Sequence, residues 1–135
     1  MRKLTGLIAC VLLTSSAQAN SIAGWELKLV TRTETGDMYE ELGNDASGVV
    51  GAGLVQEGVT WFNKGTPGPV VESYERIYDC NEPRYQLLVY SFYADPYGKH
   101  LLDSDLGDRQ WRRIPPDSRI AIERQYFCGK WLKKK

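Results

Sequence analysis

Hydrophobic and polar positions alternate with period two along much of the chain beyond residue 24, the pattern of half-buried strands. In residues 25–33, Trp25, Leu27, Leu29 and Thr31 fall on one face, and Glu26, Lys28, Val30 and Arg32 on the other. Thr35-Gly36-Asp37 reads as a turn, residues 38–42 as a short strand, and Gly43-Asn44-Asp45 as its end. Residues 48–54 are apolar but rich in glycine, which in a strand marks a bulge or a close neighbour, here room for a helix over a sheet. Residues 59–63 form a short strand that stops at Lys64-Gly65-Thr66-Pro67-Gly68-Pro69, the strongest breaker in the sequence. Residues 73–80 set Tyr74, Arg76, Tyr78 and Cys80 against Glu75, Ile77 and Asp79, and Asn81-Glu82-Pro83 turns the chain. In residues 85–94 both faces are apolar: Tyr85, Leu87, Val89 and Tyr93 against Leu88, Tyr90 and Phe92. That predicts a central strand covered on both sides. Residues 99–102, with 111–114, close the sheet.

The periodicity changes near the end. Pro115-Pro116-Asp117-Ser118 stops a strand and offers Asp117 or Ser118 as a helix cap, and Gly129 suits the residue just past a helix C-terminus. Between them Ile122 and Tyr126 share a face at i, i+4, and Ala121 and Cys128 share one at i, i+7. A period-two reading through Ile120, Ile122, Tyr126 and Cys128 fits the same residues, so helix and strand both stay open here on pattern alone.

Composition adds a compartment. Residues 1–19 read as a secretory leader, with Arg2 and Lys3, an apolar run from Leu4 to Leu13, and the cleavage signal Ala17-Gln18-Ala19. Leu7-Ile8-Ala9-Cys10 resembles a lipobox, but apolar residues continue past Cys10, where a lipidated leader turns polar. Simple cleavage is the expectation. Residues 20–135 then form one domain with two cysteines, Cys80 and Cys128, and in an oxidising compartment such a pair closes as a disulfide. No segment beyond the leader is long and apolar enough to predict a membrane span.

A net charge of zero hides an asymmetry. Residues 20–108 carry 15 acidic and 6 basic side chains, and residues 109–135 carry 2 acidic and 9 basic. The plain reading is a basic terminal segment lying on an acidic body. The sharper one is a surface for an acidic partner. Arg109, Trp111, Arg112, Arg113, Arg119 and Arg124 form the candidate contact region, since arginine and aromatic residues dominate binding energetics. Nucleic acid is not expected as a partner for an exported chain with a pI near 6.6. Lys133-Lys134-Lys135 reads as a solvated run.

Signals for catalysis, metal or nucleotide are weak. His100 is the one histidine, and it follows a turn. No nucleophile-elbow pattern frames a serine. Asp103-Ser104-Asp105-Leu106-Gly107-Asp108 has the look of a calcium loop, but Ile114 stands where the bidentate glutamate belongs, so a polar hairpin loop is expected. Gly48-Val49-Val50-Gly51-Ala52-Gly53 has the spacing GxxGxG, which is not a dinucleotide fingerprint. No cofactor is expected. The alternative to a binding protein is a periplasmic carrier or envelope-interaction protein. A carrier would hold a planar ligand such as haem between helix and sheet, with Tyr90, Tyr126 or His100 as ligands.

The order of these signals resembles the surface-adhesin protein E family of Gram-negative bacteria. Ser73-Tyr74 with Cys80, and Trp111 with Ile114-Pro115, Asp117-Ser118 and the last Cys128, carry the likeness most specifically. The resemblance implies an α+β fold: an antiparallel sheet of about six strands with a C-terminal helix on its concave face, tethered by one disulfide, which falls on Cys80 and Cys128. It also implies a non-catalytic role, adhesion to host extracellular-matrix proteins, and residence in the periplasm or on the outer surface. The partner would be a matrix protein or an acidic glycan, with a homodimer also open to the chain.

Overall fold

The alternating segments pair into one antiparallel sheet. The structure is a computed structural model that describes residues 21–22, 25–65 and 67–132. The expected leader with Cys10 and the Lys133-Lys134-Lys135 run lie outside the described residues, as does the side chain of Trp25. The strands are β1 (Ser21–Ile22), β2 (Trp25–Arg32), β3 (Gly36–Leu42), β4 (Gly48–Gly51), β5 (Leu54–Asn63), β6 (Val71–Asp79), β7 (Arg84–Tyr93), β8 (Leu101–Leu106) and β9 (Arg112–Arg113), followed by one helix, α1 (Arg119–Leu132). The sheet order is β1-β2-β3-β5-β6-β7-β8, with β4 added to β5 and β9 added to β7. Six of the nine strands are six residues or longer; the other three are short pieces at the margins.

Helix α1 lies over β5 and β6. Its start is fixed by Ser118, whose hydroxyl accepts the Ala121 N–H at 3.2 Å. That leaves Asp117, with a left-handed φ of 63°, as the residue that turns the chain into the helix. The helix does not stop at Gly129. It runs three residues further, because Lys130 and Trp131 have carboxylate partners on the sheet that hold the last turn. The opposite end of β6 from its start is stapled to that turn: Cys80 and Cys128 are joined, their Cα atoms 5.8 Å apart.

Two apolar clusters flank the sheet. Beneath the helix, Met38, Val55, Val59, Trp61, Tyr78 and Phe127 are buried together. On the far face Leu27, Tyr39 and Val71 are buried, backed by Phe62, Val70 and Tyr93. Leu27 and Leu29 share the far face as the alternation of β2 expects, Leu27 buried and Leu29 exposed. Val30 packs against the helix-side cluster, and a bulge between Leu29 and Thr31 sets Thr31 opposite Met38 on that side too, off the face the alternation gives it. The glycine-rich segment makes β4, where the Trp131 ring lies 3.8 Å from the point a Cβ on Gly48 would occupy.

The expectation for β7 needs correction. It is interior to the sheet, yet only Leu88 is buried, and its other side chains are half-buried. The helix and the cluster beneath it cover β5 and β6 and reach β7 only at its start, Tyr85. Asp103 and Asp105 also depart from expectation: they stand within β8 rather than in a hairpin loop.

Candidate functional site

The helix is held to the sheet by polar groups as much as by apolar ones. Glu123 is fully buried, and its Oε1 accepts from Arg76 Nε–H at 2.9 Å and from the Tyr78 hydroxyl at 2.7 Å. Its Oε2 accepts from Trp61 Nε1–H at 2.7 Å. The Arg76 guanidinium also lies 3.9 Å from the Tyr74 ring centroid. One turn onward, the Tyr126 hydroxyl donates to Glu40 at 2.8 Å and Lys130 pairs with the same carboxylate. Trp131 Nε1–H donates to Glu57 at 2.6 Å. Burial pushes the Glu57 carboxyl above its ordinary range, against the pull of Trp131 and Lys130. Burial beside Glu40 likewise raises the Tyr126 phenol to about 12. All but one of these polar atoms are satisfied, which is the chemistry of a structural interface; the exception among the described residues is Glu57 Oε1, buried with no hydrogen-bond partner.

The basic residues of the C-terminal segment therefore divide. Lys130 neutralises Glu40 and Glu57. Arg119 reaches the start of β3, where it donates to the Thr35 carbonyl at 2.8 Å and lies 4.4 Å from the Trp61 ring centroid. Arg124 donates to the Asp79 carbonyl at 2.7 Å. So the helix cations lie on the acidic body, as the plain reading of the charge asymmetry expects.

Arg109, Trp111, Arg112 and Arg113 come to a different place, along the β7 edge. Gly107 and Arg109 hydrogen-bond to the Leu88 and Leu87 carbonyls, and β9 pairs Arg113 with Arg84 and Arg112 with Tyr85. This lays the segment beside a cleft of about 390 Å³ lined by Glu82, Pro83, Arg84, Trp111, Arg112 and Arg113. Arg84 is fixed on two sides. It stacks 4.3 Å from the Trp111 ring centroid, and its Nε–H donates to Asp79 at 2.8 Å. Burial favours the neutral Asp79 carboxyl, but Arg84 and the Asn81 and Glu82 N–H groups outweigh it and hold Asp79 below the usual carboxylate range. Arg112 pairs with Asp108. Arg109 and Arg113 are exposed and take part in no ion pair among the described residues. The six sequence candidates thus resolve into four at one edge, Arg124 on the nearby end of β6, and Arg119 at the far end of the helix. Arg84 was missed. Nothing local marks it, because its stacking partner lies across a strand pair.

The groups named for a planar ligand are separated. Tyr126 meets Glu40 of β3, Tyr90 meets Asp103 on β8 at 3.2 Å, and the exposed His100 sits in a turn whose amides are gathered by Asp95. Between helix and sheet lie Glu123, Phe127 and their partners. Among the described residues no group of three or more His, Cys, Asp or Glu side chains could hold a metal ion. No described helix is long and apolar enough to cross a membrane.

The family model described as surface-adhesin protein E matches residues 62–129, half of the chain, from the end of β5 to the disulfide. No curated protein and no solved structure matches the chain.

Proposed function

Since the chain belongs to the surface-adhesin protein E family, we propose that it is an exported, non-catalytic binding protein whose contact surface is the arginine cleft at the β7–β9 edge. The observation that carries this reading is the exposed, unpaired Arg113 lining the cleft beside the Arg84–Trp111 stack, with exposed Arg109 on the same segment. An arginine already stacked and paired loses little freedom on binding, and a bidentate guanidinium matches a carboxylate in shape as well as charge. The partner is an acidic face of a protein, and within this family a host matrix protein is the candidate. Arg112 would exchange its exposed partner Asp108 for a carboxylate of that protein.

The test is a variant with Arg109→Gln, Arg113→Gln and Trp111→Ala together, measured for binding to immobilised matrix proteins at low and moderate salt. A loss of about tenfold or more, with steep salt dependence for the unmodified protein, is the expected outcome. Unchanged binding by a folded variant, or an unmodified protein that binds heparin and no matrix protein, overturns the reading. Protease accessibility on intact cells checks the location, and a chain protected until the outer membrane is opened counts against adhesion.

A further inference from the structure

The other end of the same edge has the opposite character. Strand β8 is the last in the sheet, and all six of its residues are exposed. Leu101 and Leu102 are each 52 % exposed and Leu106 is 69 % exposed, the most open of the exposed large hydrophobic side chains among the described residues. Scattered surface leucines need no explanation. Three on one short edge strand are different, because that strand also presents unpaired backbone groups.

Which groups those are follows from the register. Gly107 N–H bonds to the Leu88 carbonyl, and in step with it Asp105 lies opposite Tyr90 and Asp103 opposite Phe92. Antiparallel pairs alternate between bonded and non-bonded positions. Asp103 and Asp105 therefore turn their backbone groups inward to β7, and Ser104 and Leu106 turn theirs outward. Among the described residues the Leu106 N–H has only its neighbour's carboxylate, Asp105 Oδ1, at 2.7 Å. The side chains alternate as well. Asp103 and Asp105 lie on the helix side of the sheet, while Ser104 and Leu106 lie on the far side opposite Ser91 and Val89. Neither aspartate takes part in an ion pair among the described residues.

A second copy of the chain is a poor occupant. Pairing Ser104 with Ser104 across a twofold axis sets each Asp103 opposite the other copy's Asp105, and pairing Ser104 with Leu106 sets Asp105 opposite Asp105. Like charges placed directly opposite on one face destabilise a strand pair. The edge has instead one acidic face and one apolar face, so its complement is a strand that is basic on one side and apolar on the other. We propose that β8 takes an extended segment of another protein as an added strand, one whose residues alternate between apolar and basic. Its backbone would bond to Ser104 and Leu106, freeing the Asp105 carboxylate for a lysine or arginine. Its apolar side chains would cover Leu106 on the far face, and its cations would meet Asp103 and Asp105. This surface is separate from the arginine cleft and is altered by different substitutions, so either assignment can fail alone.

The probe is a labelled synthetic peptide that alternates leucine with lysine, about eight residues long, enough to span β8. A leucine–glutamate peptide of the same length is its control. The full chain should bind the lysine peptide and protect the Ser104 and Leu106 amides from exchange, with the glutamate peptide bound about tenfold more weakly or less. Ser104→Pro removes an outward donor that the sheet does not use, so it should spare the fold and weaken the lysine peptide about tenfold. Should Ser104→Pro lose its near-ultraviolet circular dichroism, the charge reversal Asp103→Lys with Asp105→Lys decides: it should transfer the preference to the glutamate peptide. Equal binding of the two peptides, or a charge reversal without effect, overturns the proposal. So does folded Ser104→Pro binding as the unmodified chain does, or a dimer that protects the β8 amides with no peptide present.

Discussion

Glu123 satisfies three buried donors from three places in the chain, Trp61, Arg76 and Tyr78. A buried pair of this kind adds little over a well-packed apolar substitute, but removing one member leaves the other uncompensated. Glu123→Ala should therefore cost about 3–5 kcal/mol in urea unfolding, and Glu123→Gln should also destabilise, since the neutral amide leaves Arg76 uncompensated and turns N–H donors toward a site whose partners all donate. Glu41 poses the opposite case. It is buried on the far face, where its Oε2 accepts from the Thr60 hydroxyl at 2.8 Å and the Ser73 hydroxyl at 2.7 Å, and it takes part in no ion pair among the described residues. Burial raises its pKa, outweighing the two hydroxyl donors. A carboxyl with a raised folded value stabilises the fold fully below the unfolded pKa and loses that contribution as pH rises through the folded one. Glu41→Gln should accordingly be more stable than the parent at pH 7, with the gap closing as pH falls below the ordinary carboxylate range. Melting temperatures across that range check the sign.

At the scale of elements, beyond the single contacts of Arg119, Arg124 and Tyr126 the helix has three main attachments: the disulfide, the Glu123 cluster and the last-turn contacts of Lys130 and Trp131. Cross-linking residues 48 apart removes about 4 kcal/mol of denatured-chain entropy on the polymer model. Cys80→Ser with Cys128→Ser should lower stability by roughly that amount, yet leave far-ultraviolet circular dichroism near native, because the other two attachments remain. A helix that melts on reduction alone would show them to be weak. The same attachments explain which parts of the fold were legible in the sequence. The strands at β2, β3, β6 and β7 and the second half of β5 follow from local patterning, and the staple follows from the two cysteines that stand beyond residue 19. The buried face of α1 did not follow. Ile122 and Tyr126 drew attention as an apolar pair, but the fully buried positions are Glu123 and Phe127. A lone glutamate carries no local sign of burial when its partners lie 45, 47 and 62 residues away. The extension past Gly129 was hidden for the same reason, since Glu40 and Glu57 hold that turn from distant strands.

At the scale of the whole molecule, the helix and its network cover β3, β5 and β6 and the start of β7 at Tyr85, and leave β8, β9 and the rest of β7 open. That division was not readable from the run of apolar residues in β7, whose pattern is the same whether a helix covers the strand or another protein does. Both proposed contact surfaces, the arginine cleft and the β8 edge, fall in the stretch of chain between Cys80 and Cys128. Tension applied to the two ends of the polypeptide would enter β6 and cross directly to the helix through the sulfur bridge. The enclosed loop would carry none of that pull along its own backbone, so stretching the chain from its ends would leave the strands of both contact surfaces unextended.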